Sequence, residues 1–381
     1  MKTLVISRPI YEYILPLVEF PQDGDKFFIE SSTRTISNIG SLVAITLASY
    51  GMDVSYTGVI GEDEVGRKIK EIFDGYRIDT KYIETSYTEK TCSNYKIYNS
   101  KSNKFTTIME KSVKNALTKY KYEFIPDVVV MDDGDYNANL AAINNFSNAK
   151  FIYISEKFSK DALIYCNKCN YVIVNLSFAS EATGVVNDLN KPKSIVALFQ
   201  KFIDLYSANL IIKLDNFDML YCVNDEVRLI KNINKNITNK DNIYYSILTY
   251  FLINTNDVEK SIKYTNKVML SSVSELDMIK NIPNYSEIKT IIDNVQISAP
   301  DLSGVSNESI EPLNKVETLA NETIINTPVE TPINGNVQTV SVNNSEMSGN
   351  TEVEQPKLNE SNQSINQTSI SNEGVNDVET L

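Results

Sequence analysis

Residues 37–66, SNIGSLVAITLASYGMDVSYTGVIGEDEVG, read as a helix, a strand and the start of a second helix. Apolar residues at helical spacing run through 41–51 and stop at Gly51, and 54–61 is a strand-length apolar run. Residues 3–7, TLVIS, supply a short buried strand upstream, so strand, helix and strand suggest a parallel crossover. Gly58, Gly61, Asp63 and Gly66 follow a spacing of their own. The glycines allow a tight strand-to-helix turn, and Asp63 is placed to cap the helix that follows.

The pattern extends along the chain. Strand-like apolar runs recur at 127–132 (DVVVMD), 150–155 (KFIYIS), 171–176 (YVIVNL) and 209–214 (NLIIKL), with helix-length segments such as 191–207 between most of them. This alternation predicts a doubly wound α/β sheet with helices on both faces. Residues 12–35 and 91–112 instead alternate apolar and polar side chains, as strands with one solvated face do, and predict a small separate β-layer. Helical spacing returns at 243–254, 257–273 and 284–295, then fails after Pro300.

The chain has 381 residues, 42% of them apolar, enough for a sizeable core. Its net charge is −13, of which −11 falls in residues 301–381, with 13 acidic and 2 basic side chains. That segment has no aromatic residue and no cysteine, so residues 296–381 are expected to form a disordered acidic tail rich in Asn, Ser and Thr. The nearly neutral remainder offers no basic stripe for nucleic acid, and no run approaches the roughly 18 apolar residues of a membrane span. The N-terminal apolar runs are broken by Arg8, Pro9 and Glu12, a poor signal peptide, so a cytoplasmic protein is expected.

Cys166 and Cys169 have zinc-hairpin spacing, but no second pair accompanies them and the chain contains no histidine, so ordinary reduced thiols are expected at Cys92, Cys166, Cys169 and Cys222. The same lack of histidine removes Ser-His-Asp and Cys-His nucleophiles and any histidine base. Catalysis, if present, falls to carboxylates, lysine or backbone amides.

The 37–66 stretch resembles the first signature of the ribokinase/phosphofructokinase-B family of carbohydrate kinases, whose strand closes in G-x-x-G-x-D-x-x-G, here Gly58 to Gly66. The resemblance covers about residues 1–295. It implies a ribokinase-like sheet whose β-layer is a lid over a sugar-like small molecule and often a dimer clasp. ATP and Mg²⁺ would be the cofactors of an active member.

Residue by residue, the resemblance places substrate-binding positions at Glu12, Ser37, Asn38 and Leu42, of which only Glu12 keeps the family's chemistry. The family's N-x-x-E aligns with Asn175 to Phe178; its carboxylate is replaced, with Glu181 three residues further on as the other candidate near a metal. The nucleotide motif T-x-G-x-x-G aligns with Lys213, Asp215 and Asp218. Carboxylates there repel polyphosphate by roughly 4 kcal/mol per charge pair near 4 Å at an effective dielectric of about 20.

The second signature, D-T-T-G-A-G-D, aligns with NITNKDN at 236–242. Asn239, Lys240 and Asp241 take the anion-hole positions, and Asn242 takes that of the catalytic base. An amide is no general base. Losing a positioned base costs about 10²–10⁴ in rate and losing an oxyanion donor about 10²–10³.

Three readings follow: a ribokinase-like pseudokinase that works by binding a ligand or partner; an active sugar or nucleoside kinase using Asp241 as base and Glu181 near the metal; or an interaction protein acting through its tail. Local chemistry alone makes Asn242 an N-cap for the helix from 243, and leaves Lys213 and Lys240 as either phosphate ligands or solvated lysines.

Overall fold

A computed structural model describes residues 1–110, 117–186, 191–232, 240–270, 275–297 and 310–315. Asn236, Ile237, Thr238 and Asn239 lie outside the described residues, as do 298–309 and 316–381 of the expected tail.

In chain order the first half runs β1 (Lys2–Ile6), β2 (Tyr11–Leu17), β3 (Thr33–Ile36), α1 (Ile39–Ser49), β4 (Asp53–Gly61), α2 (Glu64–Gly75), β5 (Asp79–Ser86), β6 (Ser93–Asn99), β7 (Lys104–Glu110), β8 (Val128–Met131), α3 (Tyr136–Asn145) and β9 (Lys150–Ser155). The second half runs α4 (Ala162–Cys166), β10 (Tyr171–Asn175), α5 (Leu176–Thr183), α6 (Pro192–Leu205), β11 (Asn209–Lys213), β12 (Met219–Val223), β13 (Glu226–Ile230), α7 (Asp241–Thr255), α8 (Val258–Met269), α9 (Tyr285–Ile297) and β14 (Ile310–Lys315).

Ten strands form one sheet in the order β14-β13-β12-β11-β10-β9-β8-β1-β4-β5. From β11 to β5 every pairing is parallel, and β12, β13 and β14 close one end antiparallel. Burial on both faces explains why these strands read as unbroken apolar runs. Val5, Val130, Ile152, Ile173 and Ile211 face the core under α1, α7 and α8; Leu4, Val129, Tyr153, Val172 and Ile212 face the core under α3, α5 and α6. Helix α7 is buried throughout Ile243–Ile253 and docks on α1, where Thr46 Oγ1 donates to Ser246 Oγ at 2.9 Å.

The predicted β-layer is a separate four-stranded sheet, β3-β2-β6-β7, with β2 and β6 parallel and both outer pairings antiparallel. The hairpin β12–β13, which no sequence pattern singled out, extends the main sheet. Inside the segment expected to be tail, β14 pairs with β13 and shields that edge; the register shift at Val227/Arg228 falls opposite Pro312, which has no amide to donate. Met1–Asn321 forms one compact unit. Strand order reverses at β1, and the crevice beyond the C-terminal strand ends there is where open α/β sheets hold ligands.

Candidate functional site

The glycines after β4 serve close approach. A Cβ on Gly58 would stand 2.2 Å from the Ser7 carbonyl oxygen, one on Gly61 2.5 Å from that of Glu89, and one on Gly66 2.4 Å from that of Gly61. None of the three has positive φ, so close approach rather than a left-handed backbone is what requires them. Asp63 caps α2 as expected, accepting from the Gly66 amide at 2.7 Å, and also takes the Thr91 amide and hydroxyl, each at 2.7 Å. Burial alone would raise its carboxyl, but these bonds outweigh it and hold the group below its ordinary value.

The start of α7 is built differently. Lys213, at the end of β11 and only 5% exposed, sits 2.6 Å from Asp241 Oδ1 and 3.9 Å from Glu156 Oε1. Its ammonium also lies 4.8 Å from the Phe217 ring centroid and 5.7 Å from that of Tyr245. The Tyr245 hydroxyl donates to Glu156 Oε1 at 2.9 Å; burial and then the Glu156 charge push its pKa well up. Asp241, in the first turn of α7, therefore meets the helix dipole and a lysine together.

Two local expectations are corrected. Asn242 is not the N-cap of α7: Lys240 occupies that position, the helix starts at Asp241, and the Asn242 amide donates to the Ser37 carbonyl. An acceptor on the loop before α1 captures the side chain that local rules assign to capping. Lys213 and Lys240 are not solvated lysines, since both are buried, and burial pulls the Lys240 pKa down.

Glu12, Ile14, Ser37, Lys96, Phe105, Thr107, Glu156, Asp241, Asn242 and Met278 line a cavity of about 270 Å³ between the small sheet and the start of α7. Glu12 is 2% exposed; its Oε1 receives Lys96 Nζ at 2.8 Å and Asn94 Nδ2 at 3.3 Å, while its buried Oε2 has no partner among the described residues. Ser37, Glu12, Asp241 and Asn242 thus line one cavity. Leu42 is a core residue under the sheet, and Asn38 fastens the β1–β2 link, with Nδ2 donating to Ser7 Oγ at 2.9 Å and to the Arg8 carbonyl at 3.1 Å.

Asn175, Asp215 and Asp218 line a second cavity, about 550 Å³, together with Ser177 and Asn216. Asp218 ties its own turn, accepting from Asn216 Nδ2 and the Asn232 amide, each at 2.7 Å. Phe217 takes a left-handed φ of 64° there, held by packing against Tyr244. Asn175 is spent on structure: it caps α5 through the Phe178 amide at 2.9 Å and donates to the Glu156 carbonyl at 2.8 Å. Glu181 is exposed on α5 and is not among the residues lining either cavity.

Sequence reading missed Lys96, Glu156 and Asp132. Lys96 lies two residues beyond Asn94, which pairs directly with Glu12, so period-two alternation puts it on the same face. Glu156 and Asp132 each follow the C-terminal end of a parallel strand, the position from which such sheets build sites. Asp132 is bound by the Ser7 hydroxyl and, at 2.8 Å, the Gly134 amide; burial, with neighbouring Asp133 adding to it, pushes its carboxyl up to about 7. Cys92, Cys166 and Cys169 are buried free thiols, and no group of three or more potential metal ligands occurs among the described residues. No helix among those residues is long and apolar enough to cross a membrane.

Comparison with solved structures finds the same fold in sugar and nucleoside kinases. A ribokinase of Arabidopsis thaliana complexed with ribose and ATP matches with a TM-score of 0.63 at 12% identity, covering 76% of this chain and 98% of that one. A Cryptococcus neoformans ribokinase in complex with ADP matches at 0.62 and 13%, covering 76% and 99%. A Methanocaldococcus jannaschii nucleoside kinase matches at 0.60 and 14%, covering 77% and 98%. No curated protein matches the sequence. The model of pfkB family carbohydrate kinases matches residues 40–284, nearly two thirds of the chain. The chain belongs to the pfkB family of carbohydrate kinases.

Proposed function

We propose that this chain binds a small, hydrogen-bond-rich molecule in the Glu12 cavity and does not transfer a phosphoryl group to it. The observation that carries the reading is the Lys213–Asp241 pair at the start of α7. The family's backbone anion hole aligns there, and an internal carboxylate now takes the helix N-terminus. Asp215 and Asp218 add negative charge along the second cavity. These residues do not fit a polyphosphate with its metal: they supply anions where backbone amides would be needed, and Asn175 is already committed to capping and to Glu156.

Asn242 at the base position has no proton-accepting nitrogen, and its amide is bound to Ser37. The active-kinase alternative loses support because Asp241 is engaged by Lys213 and Glu181 stands apart from both cavities. Exposed Ile108, paired with partly exposed Tyr95 on one face of the small sheet, supports pairing of two chains through the lid. The test of the binding reading is ADP release from MgATP across a panel of sugars and nucleosides. No release above the blank is expected; turnover with any one of them overturns the reading.

A further inference from the structure

The charges that line the Glu12 cavity do not balance. Three carboxylates line it, from Glu12, Glu156 and Asp241, against one lining ammonium, that of Lys96. Lys96 is held by Glu12 Oε1, and Lys213, behind the wall, is held by Asp241. The three carboxylates exceed the two ammonium groups that hold them by one. Among the described residues, the buried Oε2 of Glu12 has no donor.

We propose that the cavity selects a small organic cation bearing hydroxyl groups, an amino sugar or amino alcohol, over a neutral sugar or an anion. This rests on the reading of the cavity as the ligand site. An ammonium group in the cavity cancels the excess charge, whereas a neutral hydroxyl cannot. A sugar phosphate or acid meets three carboxylates. At about 270 Å³ the cavity has room for a single sugar ring but not for a long chain.

The matched probes are glucosamine and glucose, which differ in one hydroxyl exchanged for an amine. Calorimetric titration of the full chain, at a pH where the amine is protonated, should give glucosamine about tenfold tighter binding or more at low ionic strength. Salt should erode that margin. Glu12→Gln should reduce it below about threefold; Glu156→Gln, at a half-exposed position, should also reduce it and serves if the first variant fails to fold. Equal binding of the two sugars, binding of neither, or a margin unchanged in the folded variants overturns the proposal. ADP formation with either sugar would instead defeat the binding-only reading while leaving the charge preference standing.

Discussion

The junction after β4 and the junction before α7 are made of the same parts: a strand end, a helix N-terminus and an aspartate. They use them in opposite ways. Asp63 is neutralised by dipoles, two backbone amides and a hydroxyl, inside a turn whose glycines let backbone meet backbone. Asp241 is neutralised by a full charge, the Lys213 ammonium, and no glycine stands among residues 233–240 before it. The first arrangement serves the fold and keeps the family's residues. On the proposed reading, the second stands where the family would bind a ligand's phosphates, with both ions supplied by the chain itself.

Gly58→Ala is the severest way to break the first junction. Its Cβ would lie 2.2 Å from a backbone oxygen that no rotamer change can move, so a loss of about 3 kcal/mol in denaturant unfolding is expected. Asp63→Ala should cost about 2 kcal/mol, since it removes a cap and two further bonds. That loss should be nearly independent of salt.

A third strand-end carboxylate, Asp132, separates burial from pairing. The native state keeps its proton up to about pH 7, whereas the unfolded chain releases it near an ordinary 3.8. The folded protein therefore binds more protons across that window, and this group's contribution to stability falls as pH rises through it and is flat above. Asp132→Asn should be more stable than the parent by about 1 kcal/mol near pH 8, with the advantage vanishing near pH 4. Paired melts at the two pH values check this. Asp241→Asn is the smallest effect: a loss of about 0.5–1 kcal/mol that shrinks at high salt, as expected for a pair with one partly exposed partner.

The sequence disclosed most of what burial on both sheet faces imposes. Strands β1, β4, β8, β9, β10 and β11 were legible because each is a short apolar run, and the small sheet because its residues alternate. The site was legible only in part. The replaced positions could be named, but their new partners could not. The Ser37 carbonyl that takes the Asn242 amide lies 205 residues away, and Glu156 reaches Lys213 across the intervening strand β10. Lys96 joins Glu12 only through the parallel register of β2 and β6, which the intervening chain conceals.

The central claim is that the Lys213–Asp241 pair stands in for a bound polyphosphate. Calorimetric titration of the full chain with MgATP tests it most directly. No saturable binding is expected up to about 1 mM, the top of the range usual for enzyme substrates. Saturable binding by the parent chain well below that concentration, weakened by Lys213→Met, would contradict it.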